Sequence, residues 1–280
     1  MDSLTHLFTQ FQFRTDLFHL GQLCQIGSFN EENKGYLHFV RQGRFILNQA
    51  AERPITIERP ITIERPAIIF SPTNILHSLH PLDDSGLDIF CINFDFGKGI
   101  RNPLTHTLHN IVILELAQYP ELGVLADQIF SEVNQKGCGY QAMIHHLCAY
   151  FTLKVARQCL EKGYIQTGLL KGLADKQLGK VLLAIHNAPE RDWNVEELAN
   201  VALMSRSRFA AYFKQTMGVS PMDYLTNWRL AVAQHLLQKG IPVALVAEQV
   251  GYSHNAALSR VFMRELGLSP TEWLAQNKES

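Results

Sequence analysis

From Gly35 to Phe96 the apolar residues fall into short β-branched or aromatic runs: Tyr36-Leu37-His38-Phe39-Val40, Phe45-Ile46-Leu47, Ile68-Ile69-Phe70 and Ile89-Phe90-Cys91-Ile92-Asn93-Phe94. Gly, Pro and Asp turns separate them, and that spacing predicts a small β-barrel or sandwich. Past Pro103 the period lengthens. Ala142, Ile144, His145, Leu147, Cys148, Phe151, Leu153 and Val155 recur at three-to-four spacing below a Gly137-Cys138-Gly139 break. This predicts a helix that covers the barrel or pairs with its counterpart in a second chain. Gly163, Gly168 and Gly172 mark a linker over 163–177. The chain therefore reads as α+β with two domains. Residues 1–162 form a barrel over about 10–100 and helices over about 104–162, and residues 178–280 form an all-helical domain.

The helical domain says the same thing twice. Val195, Leu198, Ala199 and Ser205 align with Val243, Val246, Ala247 and Ser253 at an offset of 48. Phe209, Phe213, Gly218, Ser220, Pro221, Tyr224 and Leu225 then align with Leu258, Phe262, Gly267, Ser269, Pro270, Trp273 and Leu274 at 49. The slip falls just after the paired serines, where a loop absorbs it. Each copy is a short amphipathic helix, a turn, and a second helix ended by Gly-x-Ser-Pro, the form of a helix-turn-helix unit. Between them, Met222 to Gln238 lacks Pro and Gly and predicts a helix of about 26 Å at 1.5 Å per residue. Such a rod, with its two ends, sets two recognition helices in major grooves roughly 34 Å apart.

The stretch Arg229-Leu230, Ala233, Leu236-Leu237, Ile241-Pro242-Val243, Val246-Ala247, Val250-Gly251-Tyr252-Ser253 and Phe262 to Pro270 resembles the AraC/XylS family of bacterial transcription regulators. Leu258 departs from the family's usual Phe but stays apolar, so packing should survive. The N-terminal half resembles the family's cupin-type sensor domain through Cys24, His38, Arg65-Pro66 to His77, and Cys91, in a branch that includes reactive-chlorine sensors. The resemblance implies double-stranded promoter DNA as partner, RNA polymerase as a further one, a candidate homodimer, and a cytoplasmic protein that is not an enzyme.

In the first unit Ser205 is read as the N-cap, Phe209 and Phe213 as the anchor, and Arg206, Ser207, Arg208, Ala211 and Lys214 as the DNA-facing set. The resemblance implies that Ser207 and Ala211 approach base edges. Both are small, which favours thymine-methyl contact over hydrogen-bonded readout. In the second unit Ser253 is read as the cap, Leu258 and Phe262 as anchors, and Asn255, Ala256, Arg260 and Arg264 as the face toward DNA. Arg260 suits guanine and Asn255 adenine; Arg206, Arg208 and Lys214 suit phosphates.

Bulk charge argues mildly against this reading. The 280 residues carry a formal net charge of −1, and ten basic residues from Leu178 onward meet nine acidic ones. Placement matters more than the sum, and the recognition helices collect the cations. The N-terminus carries no signal-peptide pattern, and no stretch approaches the roughly 20 apolar residues of a membrane span. Five cysteines, an odd number, fit a reducing compartment better than a disulfide framework.

In the barrel, Glu52-Arg53-Pro54-Ile55-Thr56-Ile57 recurs as residues 58–63, and Glu64-Arg65-Pro66 begins a third copy. Six is even, so the duplication keeps a strand's in/out alternation and lengthens one hairpin. Its prolines confine it to an edge or loop.

The resemblance implies that His38 and His77 lie where cupins place metal-binding histidines, with branch cysteines at Cys24 and Cys91. No cofactor is fixed, but the four residues are candidate ligands for zinc or another divalent metal. They equally suit a redox sensor, in which an imidazolium raises the thiolate fraction and a Cys24–Cys91 disulfide forms. Cys138, Cys148 and Cys159 read as structural. The alternatives are a small organic effector in the barrel and a metal-dependent cupin enzyme with a DNA-binding appendage.

Overall fold

The computed structural model describes residues 14–31, 34–49, 60–72, 75–95, 111–165 and 167–277, which fall into two compact units. The first unit is a two-sheet β-barrel with helices on one face. Its strands are β1 (Arg14–Leu23), β2 (Gly27–Phe29), β3 (Gly35–Gln42), β4 (Phe45–Gln49), β5 (Ile61–Ile63), β6 (Ala67–Ser71), β7 (His77–Pro81), β8 (Leu87–Asp95) and β9 (Val112–Glu115). They form an antiparallel five-stranded sheet, β1-β8-β3-β6-β9, and a four-stranded sheet, β2-β7-β4-β5. Two helices follow, α1 (Pro120–Gln135) and α2 (Tyr140–Glu161).

Pleating explains why β3 and β8 are buried along almost their whole length. Tyr36, Val40, Ile69, Ile89 and Cys91 point between the sheets and join Phe29, Phe45, Leu47 and Leu79 in one core. The alternate residues point the other way. There Phe39 and Phe90 stack with centroids 5.0 Å apart, and Phe130 of α1 and Phe151 of α2 meet them edge-on at 5.4–6.2 Å. A strand covered on both faces is apolar at consecutive positions, which is the run seen at Ile89–Ile92.

Two expectations need correction and one holds. The region past Pro103 is not wholly helical: Val112–Glu115 is a strand on β6, and a run of four residues is too short to have a readable period of its own. The duplicated hexapeptide contributes β5, which is an edge strand as its prolines require, while residues 50–59 lie outside the described residues. Cys148 and Cys159 are buried in α2, but Cys138 is exposed, so packing does not account for it.

The second unit is all-helical: α3 (Leu169–Ala174), α4 (Leu178–Asn187), α5 (Val195–Val201), α6 (Arg206–Met217), α7 (Pro221–Gln238), α8 (Val243–Gln249), α9 (Asn255–Leu266) and α10 (Pro270–Asn277). The expected linker over 163–177 contains α3, whose Leu169, Leu170 and Leu173 are buried. Asp175, in the same segment, accepts from the backbone N–H groups of Gln177 and Leu178 at 2.9 and 2.8 Å and from the Tyr212 hydroxyl. One carboxylate thus serves the start of α4 and holds α6, and those hydrogen bonds keep its pKa low against the opposing cost of burial.

Each Gly-x-Ser-Pro sequence ends one helix and starts the next. Gly218 and Gly267 sit at φ 78° and 72°, the left-handed cap that glycine tolerates. Two residues on, Ser220 Oγ accepts from Asp223 N–H and Ser269 Oγ from Glu272 N–H, both at 3.3 Å, with Pro221 and Pro270 as first helical residues. The connecting helix α7 runs 18 residues, about 27 Å at 1.5 Å each.

Candidate nucleic-acid interface and barrel cluster

The two recognition helices are pinned as their periodicity predicts. Phe209 and Phe213 of α6, and Leu258 and Phe262 of α9, are fully buried. Leu258 fills its position without a phenylalanine, and Trp273 of α10 closes on Phe262 at 6.4 Å. With one side of each helix held down, the opposite side faces out. Arg206, Ser207, Arg208, Ala211, Lys214, Asn255, Ala256, Arg260 and Arg264 are all exposed. Arg206, Arg208, Lys214 and Arg260 make no salt bridge among the described residues. Arg264 differs, since its Nε donates to the neighbouring Glu265 at 2.7 Å, which spends part of its charge.

The caps depart from the sequence reading. Ser205 occupies the N-cap of α6 with extended backbone, but its hydroxyl makes no capping bond. In the second copy the N-cap is His254, with Ser253 one residue ahead and its Oγ 2.8 Å from His254 Nδ1. The one-residue slip in the repeat is the cause. At offset 49 the partner of Ser205 is His254, so the insertion lies before the cap rather than after it. The turn ahead keeps its geometry: Leu203 and Gly251, aligned at 48, take the same left-handed conformation at φ 55° and 81°. Of the acidic residues before the first unit, Glu197 is structural. Asn194 and Glu197 form a reciprocal capping box on α5, and Glu197 also binds Arg191 at 3.0 Å.

In the barrel, strand register sets His38 opposite Cys91 across β3 and β8, and His19 opposite Cys91 across β1 and β8. His77 reaches in from the other sheet, its Nε2 2.9 Å from His38 Nε2. His77 Nδ1 lies 2.6 Å from the Ile75 carbonyl, which can only accept, so Nδ1 carries the proton. The neutral His77 ring then offers Nε2 as acceptor, and His38 Nε2 must donate. That leaves His38 Nδ1 a buried lone pair without a partner, and His19 Nε2 is likewise buried and unpartnered. Phe29 packs on both rings, with centroids 4.3 and 5.2 Å away. Burial pushes His38 well below the usual imidazole range, helped by the neighbouring His77 and His19, and takes His77 down to about 4.

This geometry overturns two parts of the sensor expectation. Cys24 is exposed beyond the end of β1, against the Gly86 turn, whereas Cys91 is buried mid-strand. Leu23 pairs with Leu87, so four residues, about 13 Å at roughly 3.3 Å each, separate that end from Cys91. A disulfide needs its Cα atoms within about 7 Å, so Cys24 and Cys91 cannot join in this fold. Nor is Cys91 a ready thiolate, because burial pushes its thiol up. The zinc-type set of Cys24, His38, His77 and Cys91 does not fit either. Among the described residues no three His, Cys, Asp or Glu side chains converge as a metal site.

Comparison with known proteins matches this division. Residues 2–161 match the family described as Cupin, and residues 198–276 match a helix-turn-helix domain family. A putative AraC-like transcription regulator of Streptomyces lividans is 33% identical over 199 residues, 67% of this chain and 64% of that one. The chain belongs to the AraC family. Within it, the match spans slightly less than two thirds of the Streptomyces relative. The RCS-specific HTH-type transcriptional activator RclR of Escherichia coli K12 is 28% identical over 206 residues, 72% of each chain. These AraC-family relatives are regulators rather than enzymes. Among solved structures, the DNA-binding domain of AdpA in complex with a target DNA is 34% identical, covers 36% of this chain and 93% of its own, and has a TM-score of 0.35. No helix of the described residues is long and apolar enough to cross a membrane.

The nine exposed residues are legible in the sequence, whereas the roles of His19, Asp175, Tyr212, Arg229 and His254 come from the structure. His254 was legible in the repeat, since only a shift of the slip by one position brings it under Ser205. His19 was not, because only strand register carries it to Cys91.

Proposed function

We propose that this chain is a DNA-binding transcription regulator that lays α6 and α9 in successive major grooves of promoter DNA. The observation that carries it is the pair of outward faces, each fixed by two fully buried side chains and joined through the single rod α7. Arg260 reads guanine from the middle of α9, and Asn255 reads adenine from its first turn. Arg206, Arg208 and Lys214 hold phosphates, and Ser207, Ala211 and Ala256 let the helices sit deep in the groove. RNA polymerase and a second copy are the protein partners that the family reading supplies.

The test is binding of the full chain to a randomised site library. Arg260→Ala should cost about 1–3 kcal/mol and relax one base position; Lys214→Ala should weaken all sequences alike and reduce the salt slope by about one. Uniform losses for both would make Arg260 a phosphate contact, and enrichment of no sequence by the unaltered chain would end the DNA-reading proposal.

For the signal, we propose an oxidant that reaches the barrel, with the RCS specificity of the relative RclR as support. Cys24 is the thiol it meets first, and Cys91 takes part only when the barrel opens. A small organic effector is a second reading, favoured by a cleft of about 540 Å³ between β1 and the helices α1 and α2, where Leu17, Val133 and Ile144 line it beside the polar Asp16, His19 and His145.

A further inference from the structure

We propose that Arg229 is a positioning residue: it locks the turn of the second helix-turn-helix unit to the loop ahead of the first, and so sets the spacing of the DNA elements the two units read together. This rests on the reading of α6 and α9 as recognition helices. Arg229 lies midway along α7. Its Nε donates to the Pro189 carbonyl at 2.7 Å and its Nη2 to the Arg191 carbonyl at 2.8 Å. Both acceptors lie on the loop between α4 and α5. On the other side the guanidinium carbon stands 5.5 Å from the centre of the Tyr252 ring, in the turn between α8 and α9.

Gly251 is what lets the three parts meet. At φ 81° it brings the turn so close that a Cβ there would lie 2.7 Å from Arg229 Nη2 and 2.7 Å from the Glu190 carbonyl oxygen. The first unit's turn is held differently: Gln177 Nε2 donates to the Ala202 carbonyl at 3.2 Å, and Leu203, at the aligned turn position, is 83% exposed. The loop that receives Arg229 is itself held. The Arg191 guanidinium covers the Trp193 ring at 4.1 Å, and Trp193 Nε1 donates to the Ala188 carbonyl at 2.9 Å. A fixed loop on one side and a fixed turn on the other make the guanidinium a strut between the two units. Two donors in a planar fork are needed, so lysine cannot replace it.

The experiment uses the full chain and DNA elements that the unaltered protein selects, with the two half-elements moved apart or together one base pair at a time. Arg229→Ala and Arg229→Lys should lose about tenfold in affinity at the preferred spacing, roughly the loss of one charge-assisted hydrogen bond. Binding to either half-element alone should stay within about twofold, and the spacing profile should flatten. In parallel, spin labels carried by non-cysteine side chains at the exposed Gln215 and Met263 report the distance between α6 and α9 without DNA. The distribution should broaden in both variants while Arg229→Lys keeps its helical circular dichroism. An unchanged distribution, or equal losses at every spacing and on each half-element, would make Arg229 an ordinary stabilising contact. If the unaltered chain selects no DNA, the functional reading fails, and the label distances still decide whether the strut exists.

Discussion

Acid should loosen the barrel through the His38–His77 pair. His77 titrates at about 4 in the folded chain against 6.5 for an ordinary histidine, with burial as the main cause. As pH falls the unfolded chain takes the proton first, so stability is complete above pH 6.5, declines below it, and stops declining below about 4. Between pH 7.5 and 5.0 one such group costs about 2 kcal/mol, from RT ln of the two binding polynomials. His38 is shifted the same way and adds to the loss. Urea unfolding, followed by hydrogen exchange of β3 and β8 amides, measures it. Carboxylates contribute their own pH dependence, so the informative quantity is the difference from His77→Gln, which keeps a donor and an acceptor but does not titrate there. That variant should lose about 2 kcal/mol less between the two pH values. Nitrogen NMR of the imidazoles gives a second reading: a proton on His77 Nδ1 and on His38 Nε2 at neutral pH. An imidazolium at either ring at pH 6, or an identical acid loss in the variant, would refute the argument.

Other outcomes test separate parts of the structure. Leu203→Gly should stabilise the helical unit by about 1 kcal/mol, since an exposed leucine at φ 55° carries left-handed strain; Gly251→Ala should destabilise it, because its Cβ meets backbone, and thermal melts of both variants check this. Deleting residues 52–57 should leave the barrel folded with a melting temperature within about 3 °C, because the remaining copy supplies the same Ile-Thr-Ile strand in the same alternation; exposed β4 amides in hydrogen exchange would contradict it. With a thiol reagent, Cys24 and Cys138 should react in the folded chain and Cys91, Cys148 and Cys159 only in denaturant. A Cys24–Cys91 linkage that forms as fast as Cys24 labels would mean the barrel opens far more readily than its packing implies.

The sequence by itself determined the parts whose information is local or repeated. Phe209 and Phe213 at i and i+4, then Leu258 and Phe262, mark the buried side of each recognition helix and therefore its outward face. Gly-x-Ser-Pro encodes a helix end and the next helix start within four residues, because left-handed φ and a serine cap are backbone preferences rather than consequences of the fold. The β-branched and aromatic run at Ile89–Phe94 already marked a strand. Tertiary structure decided what depends on residues far apart in the chain. Strand register carries Cys91 to His38 and His19 and leaves Cys24 about four residues off the mark, and no spacing in the sequence contains that register. Burial then fixes the chemistry: two histidines that could have held a metal or activated a thiol become a neutral hydrogen-bonded pair, because charge is costly where Phe29 excludes water. Leu169 and Leu170 read as linker because six residues are too few to show a period, and only their contacts make them core. Arg229 looked like one more cation on a helix; its role comes from two carbonyls some forty residues earlier in the chain and a glycine twenty-two residues later.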